Sequence, residues 1–286
     1  MEIINLKSRN FLLSLIRNIF CNVGDKIILP YFKNLKSSEI STKDDDTDFV
    51  TLADKKSESY IGEKLLKKFD YIRIIGEESF FTKNNNKISF DNNYYWTIDP
   101  IDGTKNYINT NKNFCSMISL IYKKISIASF IYFPIDNDMI FAFKGFGAYE
   151  LDFKTNITKK IFISNKFTFH GTGGTKGIPE PYRSEILKNL KLNVKRTFIG
   201  SAGVETKYFV KNKLNFIIHG RVTPWDHSPL SLIVKEAGGV ALMMRDRSEF
   251  NLLSDGPILA CSNKGSWNQL RDLLLPIRSK NRNFLI

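Results

Sequence analysis

Apolar residues recur every three or four positions in two stretches near the start of the chain, which is the spacing of an amphipathic helix. The sequence therefore predicts helices near 7–35 and over 53–69. Shorter apolar runs rich in Ile, Phe and Tyr follow, and such runs are typical of strands. In the first half of the chain the predicted strands lie at 72–75, 94–98, 114–122, 125–132 and 139–143.

The pattern changes near residue 150, because beyond it predicted strands alternate with predicted helices. We therefore predict an α/β protein with an N-terminal α+β subdomain over 1–150 and a C-terminal α/β subdomain over 151–286. No linker rich in Pro, Gly or Ser separates the two, so we expect them to share a cleft. The strands of the second half are expected at 196–199, 216–219 and 258–261. Its helices are expected near 183–192, 202–210, 229–237 and 266–275.

Two segments of biased composition are interpreted as loops. The Asn-rich stretch 82–87 is typical of a solvated loop. The Gly-rich stretch 171–176 lacks the spacing of a phosphate-binding loop, in which a Gly-Lys pair precedes Ser or Thr. A flexible connection between the two halves is therefore the favoured interpretation of this stretch.

The composition is that of a globular protein with an excess of positive charge. Hydrophobic residues make up 42% of the chain and charged residues 25%, which excludes a disordered or collagen-like protein. The net charge of +13 comes from lysines scattered along the whole chain, whereas nucleic-acid-binding proteins usually cluster their basic residues on one element. We therefore expect no nucleic-acid partner. The charge either attracts small anionic substrates or reflects a drift of composition, and the sequence leaves both interpretations open.

Cysteine usage and hydropathy predict a cytoplasmic protein without a membrane partner. The three cysteines lie far apart and form no Cys-x-x-Cys pair, so neither a disulfide framework nor a zinc ribbon is expected. No uncharged apolar run reaches the roughly 18 residues that a transmembrane helix requires. Arg17 interrupts the first apolar run too early for a signal peptide.

The most informative segment is Asp99-Pro100-Ile101-Asp102-Gly103-Thr104, which follows a predicted apolar strand. Pro100 favours an extended conformation at Asp99, and Gly103 permits a turn that lets Asp99 and Asp102 converge. The result would be two carboxylates beside a helix N-terminus, whose free N–H groups suit a phosphate. Alternatively, Asp99 only ends a strand and Asp102 only caps a helix, and this segment alone leaves both interpretations open.

Three further acidic residues stand where a predicted strand ends or a predicted helix begins. Asp54 begins the second predicted helix, Glu77 follows the first predicted strand, and Asp226 precedes a later predicted helix. Each alone is commonly a cap or a turn residue. Together with Asp99 and Asp102 they offer carboxylate oxygens, which suit hard cations such as Mg²⁺.

In this order and spacing, the acidic segments resemble the inositol monophosphatase family of metal-dependent, lithium-sensitive phosphatases over about residues 5–275. The segment from Asp99 to Thr104 is similar to the first signature of that family, and Trp225-Asp226 is similar to the second. The upstream motifs are matched by Val50-Thr51-Leu52-Ala53-Asp54 and Gly76-Glu77-Glu78-Ser79. The resemblance implies a layered α-β-α-β-α sandwich with the site in a cleft between its halves.

The resemblance also implies a pair of Mg²⁺ ions in that cleft, for which Mn²⁺ would substitute. The first ion would be held by Glu77, Asp99 and the backbone carbonyl of Ile101. The second would be held by Asp99, Asp102 and Asp226, and Glu77 would support a third, weaker ion. Several carboxylates in one cleft are tolerable only with such cations, because like charges repel.

Water is the nucleophile that the resemblance implies. Asp54 and Thr104 would orient and deprotonate it, and Glu77 belongs to the catalytic set as well. The implied substrate contacts are Asp102, Gly103, Thr104, Gly200, Ser201, Ala202, His219 and Asp226.

The chain departs from the family at His219, which stands seven residues before Asp226, where the myo-inositol-specific enzymes have a Glu. Histidine cannot copy the acceptor-only pattern of a carboxylate, and the alternative is that His219 merely ends a strand. Lys105 follows the first signature, and a lysine at this position gives only weak evidence about which substrate the protein uses. Arg221 and Lys176 could reach a distal group of a substrate.

These features predict a cytoplasmic Mg²⁺-dependent phosphomonoesterase, and the resemblance implies a homodimer. Inositol monophosphate or a similar sugar or polyol phosphate is the leading substrate class. The alternatives are 3′-phosphoadenosine 5′-phosphate, histidinol phosphate and fructose 1,6-bisphosphate. A protein of a different class, which binds polyanions or nucleic acids on the same fold, is also considered, and the intact set of carboxylates argues against it.

Overall fold

The computed structural model describes residues 5–43, 48–82 and 93–275, except for the side chains of 80–82. The loop predicted at 82–87 lies outside these residues beyond Thr82, which ends a helix. Within the described part of the chain, no helix is long and apolar enough to cross a membrane.

The first half of the chain contains the N-terminal helices, a short hairpin and a large sheet. In chain order its elements are α1 (Leu6–Val23), α2 (Leu29–Tyr31), β1 (Ile40–Thr42), β2 (Phe49–Thr51), α3 (Leu52–Leu66), β3 (Arg73–Gly76), α4 (Glu77–Thr82), β4 (Tyr94–Asp102), α5 (Thr104–Ile108), β5 (Cys115–Tyr122), β6 (Ile125–Phe133), β7 (Asp138–Phe143), β8 (Gly147–Asp152) and β9 (Thr158–Ile161).

The second half of the chain contains a smaller sheet and the helices that cover it on both faces. In chain order its elements are β10 (His170–Gly174), α6 (Tyr182–Asn193), β11 (Lys195–Arg196), α7 (Ala202–Val210), β12 (Phe216–His219), α8 (Pro224–Glu236), β13 (Val240–Met243), β14 (Ile258–Cys261) and α9 (Lys264–Leu274).

The two sheets differ in topology. β3 to β9 form a seven-stranded sheet in sequential order, in which β3 pairs parallel with β4 and all later neighbours are antiparallel. The smaller sheet has the order β11-β10-β12-β14-β13, and its first three strands are parallel to one another. Residue 150, where we expected the subdomain boundary, lies inside β8, and the smaller sheet begins at His170.

Helices and sheets alternate in layers. α1 and α3 pack on one face of the larger sheet, α7 and α8 lie between the two sheets, and α6 and α9 cover the outer face of the smaller sheet. Helices therefore cover both faces of the central strands, and nearly every residue of β5 and β6 is buried, which explains their continuous apolar sequences. The α-β-α-β-α sandwich confirms the predicted fold class.

The first predicted helix, near 7–35, is interrupted. α1 is followed by a π-helical turn at Gly24–Ile28 and then by the short α2. A Cβ atom at Gly24 would lie 2.6 Å from Oη of Tyr132 on the larger sheet. The glycine therefore permits a close approach between the end of α1 and the sheet.

α8 begins at Pro224 rather than near residue 229, so the predicted start of this helix was wrong. Thr223 caps it, because the Thr223 hydroxyl accepts a hydrogen bond from the N–H of Asp226 over 3.4 Å. Asp226 consequently lies in the first turn of the helix instead of before it, and Pro229 lies inside the helix.

The Gly-rich stretch 171–176 was predicted to be a flexible connection, and this prediction was wrong. Most of it forms β10, which pairs with strands on both sides. A Cβ atom at Gly171 would lie 2.4 Å from the ring of Phe216, and one at Gly173 would lie 1.9 Å from the carbonyl oxygen of Ile218. The glycines are therefore required for close packing against β12 rather than for flexibility.

Candidate active site

Three carboxylates from both halves of the chain meet at the end of β4. Asp99 and Asp102 belong to the last residues of β4, where the pairing with β5 shifts register between them. Asp226 reaches the same place from the first turn of α8. An oxygen of each carboxylate lies within 4.8 Å of an oxygen of the other two. The structure therefore brings together three of the predicted metal ligands.

The electrostatics of this group favour a bound cation. Burial raises the pKa of Asp99 well above its usual range, and the charges of Glu77 and Asp102 raise it further. Burial also raises the pKa of Asp102 to about 6, with Asp226 as the next cause. Asp99 is only 2% exposed, and its Oδ1 has no hydrogen-bond partner among the described residues. A buried, unpaired carboxylate oxygen among like charges suits a hard divalent ion.

The N-terminus of α7 holds Asp102. The Ser201 hydroxyl donates to Oδ2 of Asp102 over 2.6 Å, and the backbone N–H groups of Ala202 and Gly203 donate over 3.1 and 2.7 Å. The Cys115 thiol adds a weaker contact of 3.3 Å. Ser201 and Ala202, which were predicted to contact substrate, thus also donate hydrogen bonds to Asp102, a predicted metal ligand. These hydrogen bonds fix the position of the Asp102 carboxylate.

Asp54 is fully buried at the start of α3 and faces the same region. Its Oδ2 accepts hydrogen bonds from the N–H of Thr51 over 2.9 Å and from the Thr51 hydroxyl over 2.5 Å. Its Oδ1 lies 3.3 Å from the hydroxyl of Thr104, which also lies 3.1 Å from the carbonyl oxygen of Ile101. Burial raises the pKa of Asp54 to about 6, although the Thr51 hydrogen bonds lower it in part.

Glu77, the first residue of α4, is bound by Lys43, which sequence reasoning missed. The Lys43 ammonium lies 2.7 Å from Oε1 of Glu77 and 2.9 Å from Oε1 of Glu78. Burial raises the pKa of Glu77 well above its usual range, whereas Lys43 lowers it and the charges of Glu78 and Asp226 raise it. Glu77 is therefore close enough to the three carboxylates to interact with Asp226, and Lys43 compensates part of its charge.

A cleft of about 240 Å³ opens beside Asp102 and Asp226. It is bounded by the start of α7 and by the ends of β10 and β12. Lys105 lies exposed on α5 and is not among the residues that line it. The lining residues that the sequence had suggested are Asp102, Lys176, Gly200, Ser201, Ala202, His219, Arg221 and Asp226.

His219 lines the cleft, but both of its ring nitrogens are engaged. Nε2 lies 2.7 Å from Oε2 of Glu205, and Nδ1 lies 2.9 Å from Nε2 of His227. The other oxygen of Glu205 accepts from the Thr172 hydroxyl over 3.0 Å. Sequence reasoning missed Glu205 and His227, because only the fold brings α7, α8 and β12 together here.

Proteins similar to this chain in sequence include inositol monophosphatases. The chain is 30% identical over 263 residues to an inositol monophosphatase from Dictyostelium discoideum, covering 91% of this chain and 93% of that one. It is 31% identical over 202 residues to Nus factor SuhB from Pasteurella multocida, covering 68% of this chain and 71% of that one.

Among solved structures, an IMPase/NADP phosphatase in complex with NADP and Ca²⁺ has the same fold. The TM-score is 0.79 over 94% of this chain and 97% of that one, at 18% identity. At this level of identity the similarity shows the fold alone.

A family model matches nearly the whole chain. The model of the inositol monophosphatase family, whose members are metal-dependent, matches residues 15–281. The matched span contains every carboxylate of the site, namely Asp54, Glu77, Asp99, Asp102 and Asp226. The chain therefore belongs to the inositol monophosphatase family and is a phosphatase.

Proposed function

We propose that this protein is a Mg²⁺-dependent phosphomonoesterase of small phosphorylated metabolites, with sugar and polyol phosphates such as inositol monophosphate as its substrate class. The observation that carries the proposal is the convergence of Asp99, Asp102 and Asp226 beside the cleft, with one buried Asp99 oxygen that has no hydrogen-bond partner in the described part of the chain. Without cations these carboxylates would repel a phosphate. With cations the same place becomes a phosphate-binding site.

The residues present fit a pair of Mg²⁺ ions. Glu77, Asp99 and the carbonyl of Ile101 would hold one ion, and Asp99, Asp102 and Asp226 would hold the other. Glu77 would also support a third, weaker ion, and Mn²⁺ would substitute for Mg²⁺. Bound ions of this kind neutralise a phosphate, lower the pKa of water and stabilise a leaving alkoxide. Inhibition by Li⁺ would follow if it competes for one of these positions.

Asp54 is the group that would accept the proton of the attacking water. Its pKa of about 6 suits a general base near neutral pH. Because Thr51 engages Oδ2, Oδ1 is the oxygen that faces Thr104. The Thr104 hydroxyl would orient the water, and the backbone N–H groups of Gly103 and Thr104 would bind the phosphate.

The test is phosphate release with and without Mg²⁺. The substrates would be inositol 1-phosphate, sugar monophosphates, 3′-phosphoadenosine 5′-phosphate, histidinol phosphate, fructose 1,6-bisphosphate and p-nitrophenyl phosphate. Turnover that requires Mg²⁺ or Mn²⁺, is inhibited by Li⁺ and is lost in Asp99→Asn would support the proposal. The matched control is Asp70→Asn, which neutralises an exposed aspartate outside the site. An unaffected Asp99→Asn enzyme, or turnover in EDTA, would contradict it.

The absence of a nucleic-acid partner stays a prediction, and the similarity to a protein named Nus factor SuhB makes it worth a direct measurement. RNA binding would be measured by gel shift at low and physiological salt. Weak binding that disappears at physiological salt is the expected result, because scattered lysines give only non-specific attraction. Tight binding together with no phosphatase activity would favour the polyanion-binding alternative.

A further inference from the structure

We propose that the protein has a second ligand site, which binds a small apolar molecule with one anionic group, such as an aromatic carboxylate. The site is a cavity of about 310 Å³ beside the later turns of α8, whereas Asp226 lies in the first turn of that helix. None of the described residues that line this cavity lines the catalytic cleft or is a proposed metal ligand. The inference therefore goes beyond the proposed function and can be tested without measuring phosphatase activity.

The cavity forms where α8 and the two sheets meet. α8 packs against β6 of the larger sheet and against β13 of the smaller sheet. Gly238, with a φ of +93°, follows the end of the helix and lets the chain turn into β13. β13 is an edge strand, and the chain meets its outer side again at a bridge between Leu242 and Glu249. The cavity is the space between α8, the start of β6 and this edge.

The walls of the cavity are largely apolar. They include Leu232 of α8, Val240 and Leu242 of β13, and Phe250. Ile125, the first residue of β6, also lines the cavity and is 41% exposed despite its large apolar side chain. A cavity of about 150 Å³ holds a benzene ring. This cavity therefore has room for a body of about two fused rings.

One hydroxyl group in this wall has no partner. Oγ of Ser231, in the middle of α8, is buried and makes no hydrogen bond within the described part of the chain. A helical serine can donate to the carbonyl four residues earlier, which here is that of His227. Because Ser231 itself lines the cavity, rotation about its Cα–Cβ bond would turn the hydroxyl toward a bound oxygen. Such a contact would remove the cost of an unsatisfied buried hydroxyl.

The rim of the cavity is positively charged. The charged residues that line it are Lys144, Lys235, Lys264 and Glu249. Lys235 is paired with Glu249 at 2.5 Å, whereas neither Lys144 nor Lys264 has an ion pair with any residue that the structure describes. Lys264 lies 4.9 Å from the ring centroid of Trp267, a contact that does not neutralise its charge. Two cations are therefore available for an anionic group.

The backbone holds these two lysines beside the cavity from opposite sheets. Lys144 follows β7 of the larger sheet, and its N–H donates to the carbonyl oxygen of Ile127 on β6 over 3.0 Å. Lys264 begins α9, three residues after Cys261, which pairs with Val240 at the start of β13. An anionic group at the rim would gain charge-assisted hydrogen bonds from the lysines. Its apolar body would cover the walls below.

The experiment uses three probes that separate the apolar body from the charge. These are 2-naphthoate, its neutral counterpart 2-naphthamide, and acetate, which has the charge without the body. Binding to the full chain would be measured by ligand-observed NMR titration. We expect a Kd of about 1 mM or below for 2-naphthoate, at least about fivefold weaker binding of 2-naphthamide, and no binding of acetate at about 10 mM. Equal affinities for the two aromatic probes would overturn the anionic group, and no binding of 2-naphthoate at about 5 mM would overturn the site.

Variants of the two lysines test which groups select the anion. Lys144→Ala combined with Lys264→Ala should reduce the preference for 2-naphthoate over 2-naphthamide to less than about twofold. The matched control is Lys188→Ala, which removes an exposed positive charge from α6 and should leave the preference unchanged. A double variant that keeps the full preference would overturn the assignment of the lysines.

A variant that fills the cavity locates the apolar body. Ser231→Leu should weaken the binding of both aromatic probes at least about tenfold, because the larger side chain occupies their space. The matched control is Ser184→Leu, which enlarges an exposed serine of α6. Unchanged binding in a folded Ser231→Leu protein would overturn the location, and if this variant does not fold, the lysine variants decide.

A competition experiment separates this site from the catalytic cleft. The titration with 2-naphthoate would be repeated with Mg²⁺ and inorganic phosphate, which the proposed function directs to the cleft. We expect the Kd to stay within about twofold, since the two sites share no lining residue. Displacement of 2-naphthoate by phosphate would overturn the second site. Binding of 2-naphthoate by a protein without phosphatase activity would support the second site and overturn only the proposed function.

Discussion

The backbone N–H of Gly203 donates a hydrogen bond to Oδ2 of Asp102 over 2.7 Å. Asp102 lies on the last strand position before α5, in the larger sheet, whereas Gly203 lies in the first turn of a helix between the sheets. Together with the Ser201 hydroxyl, which donates to the same oxygen, this contact joins the two halves of the site without a metal. The position of Asp102 therefore depends on how closely α7 approaches the larger sheet, in which β5 is the neighbour of β4.

A methyl group at position 203 should disturb this approach. In Gly203→Ala the new Cβ atom would lie 2.3 Å from Sγ of Cys115 and 3.0 Å from Met117, so α7 must shift. We expect a loss of about 1–3 kcal/mol in the free energy of unfolding and a weaker affinity for Mg²⁺. Urea unfolding and calorimetric Mg²⁺ titration would measure the two effects. The double variant Gly203→Ala with Cys115→Ala should recover part of both, and no recovery would contradict the steric explanation.

Asp99 should be essential for turnover, since it is the ligand proposed for both ions. Asp99→Asn should lower kcat by at least about 10³-fold, because it removes one negative charge from the centre of the metal site. The measurement is steady-state hydrolysis over a range of Mg²⁺ concentrations, with Asp70→Asn as the control. A loss of less than about tenfold at saturating Mg²⁺ would reject the assignment of Asp99 as a shared ligand.

The Asp99 carboxylate should destabilise the folded protein when no metal is bound, whereas bound Mg²⁺ should offset this destabilisation. Burial and neighbouring charges raise the pKa of this carboxyl, and a raised carboxyl pKa in the folded state destabilises the protein at pH values above about 4. In EDTA at pH 7.5, Asp99→Asn should therefore raise Tm by roughly 3 °C or more.

The sign of the pH dependence provides a second check on this prediction. The rise in Tm caused by Asp99→Asn should shrink as the pH approaches about 4, where the Asp99 carboxyl is also protonated in the unfolded chain. With Mg²⁺ present, the wild-type protein should gain stability by mass action and the variant should gain less. Differential scanning calorimetry measures both effects. An Asp99→Asn protein that melts at a lower temperature in EDTA would show that the carboxylate is not repelled by its neighbours.

Asp54 should act in the reaction rather than in metal binding. Asp54→Asn should leave the Mg²⁺ affinity within about threefold and lower kcat by roughly 10²–10⁴-fold, which is the usual contribution of a general base. Calorimetric Mg²⁺ titration and single-turnover kinetics would separate the two effects. Loss of Mg²⁺ binding with normal single-turnover rates at saturating Mg²⁺ would show that Asp54 is a ligand instead.

Lys43 should contribute to stability because it compensates the carboxylates of half-buried Glu77 and buried Glu78. Its side chain is 7% exposed and contacts both Glu77 and Glu78. Lys43→Gln should cost about 3 kcal/mol of unfolding free energy in the absence of Mg²⁺, since it leaves buried charges unpaired. The matched control is Lys235→Gln, which breaks an exposed pair with Glu249 and should cost less than about 1 kcal/mol. Equal costs in urea unfolding would contradict this role of Lys43.

Local signals in the sequence could predict the α/β class and the acidic segments, whereas the layered sandwich was expected from the family resemblance. The helical period and the apolar runs predict most helices and the central strands, and Pro100 and Gly103 mark the turn between Asp99 and Asp102. β10 was missed since glycine is depleted in strands, and only the neighbouring β12 explains why Gly171 and Gly173 are needed there.

The residues that bind Glu77 and His219 could not be predicted, because they lie far from them along the chain. Lys43 precedes Glu77 by 34 residues, and Glu205 precedes His219 by 14. Neither has a pattern that distinguishes it from a solvated charge. Such pairings follow from the packing of separate elements, so a single sequence contains no local signal for them.

α8 contacts strands of both sheets and contributes Asp226, so a site that binds Mg²⁺ as proposed would make the lifetime of the protein depend on the supply of magnesium. Without the ion, Asp99 and Asp102 would repel Asp226 across the seam between the end of β4 and the start of α8, and the two elements would separate more readily there. A protease would then find its first cleavage sites along that seam. Scarcity of magnesium would thus lower the amount of this protein as well as its rate of turnover.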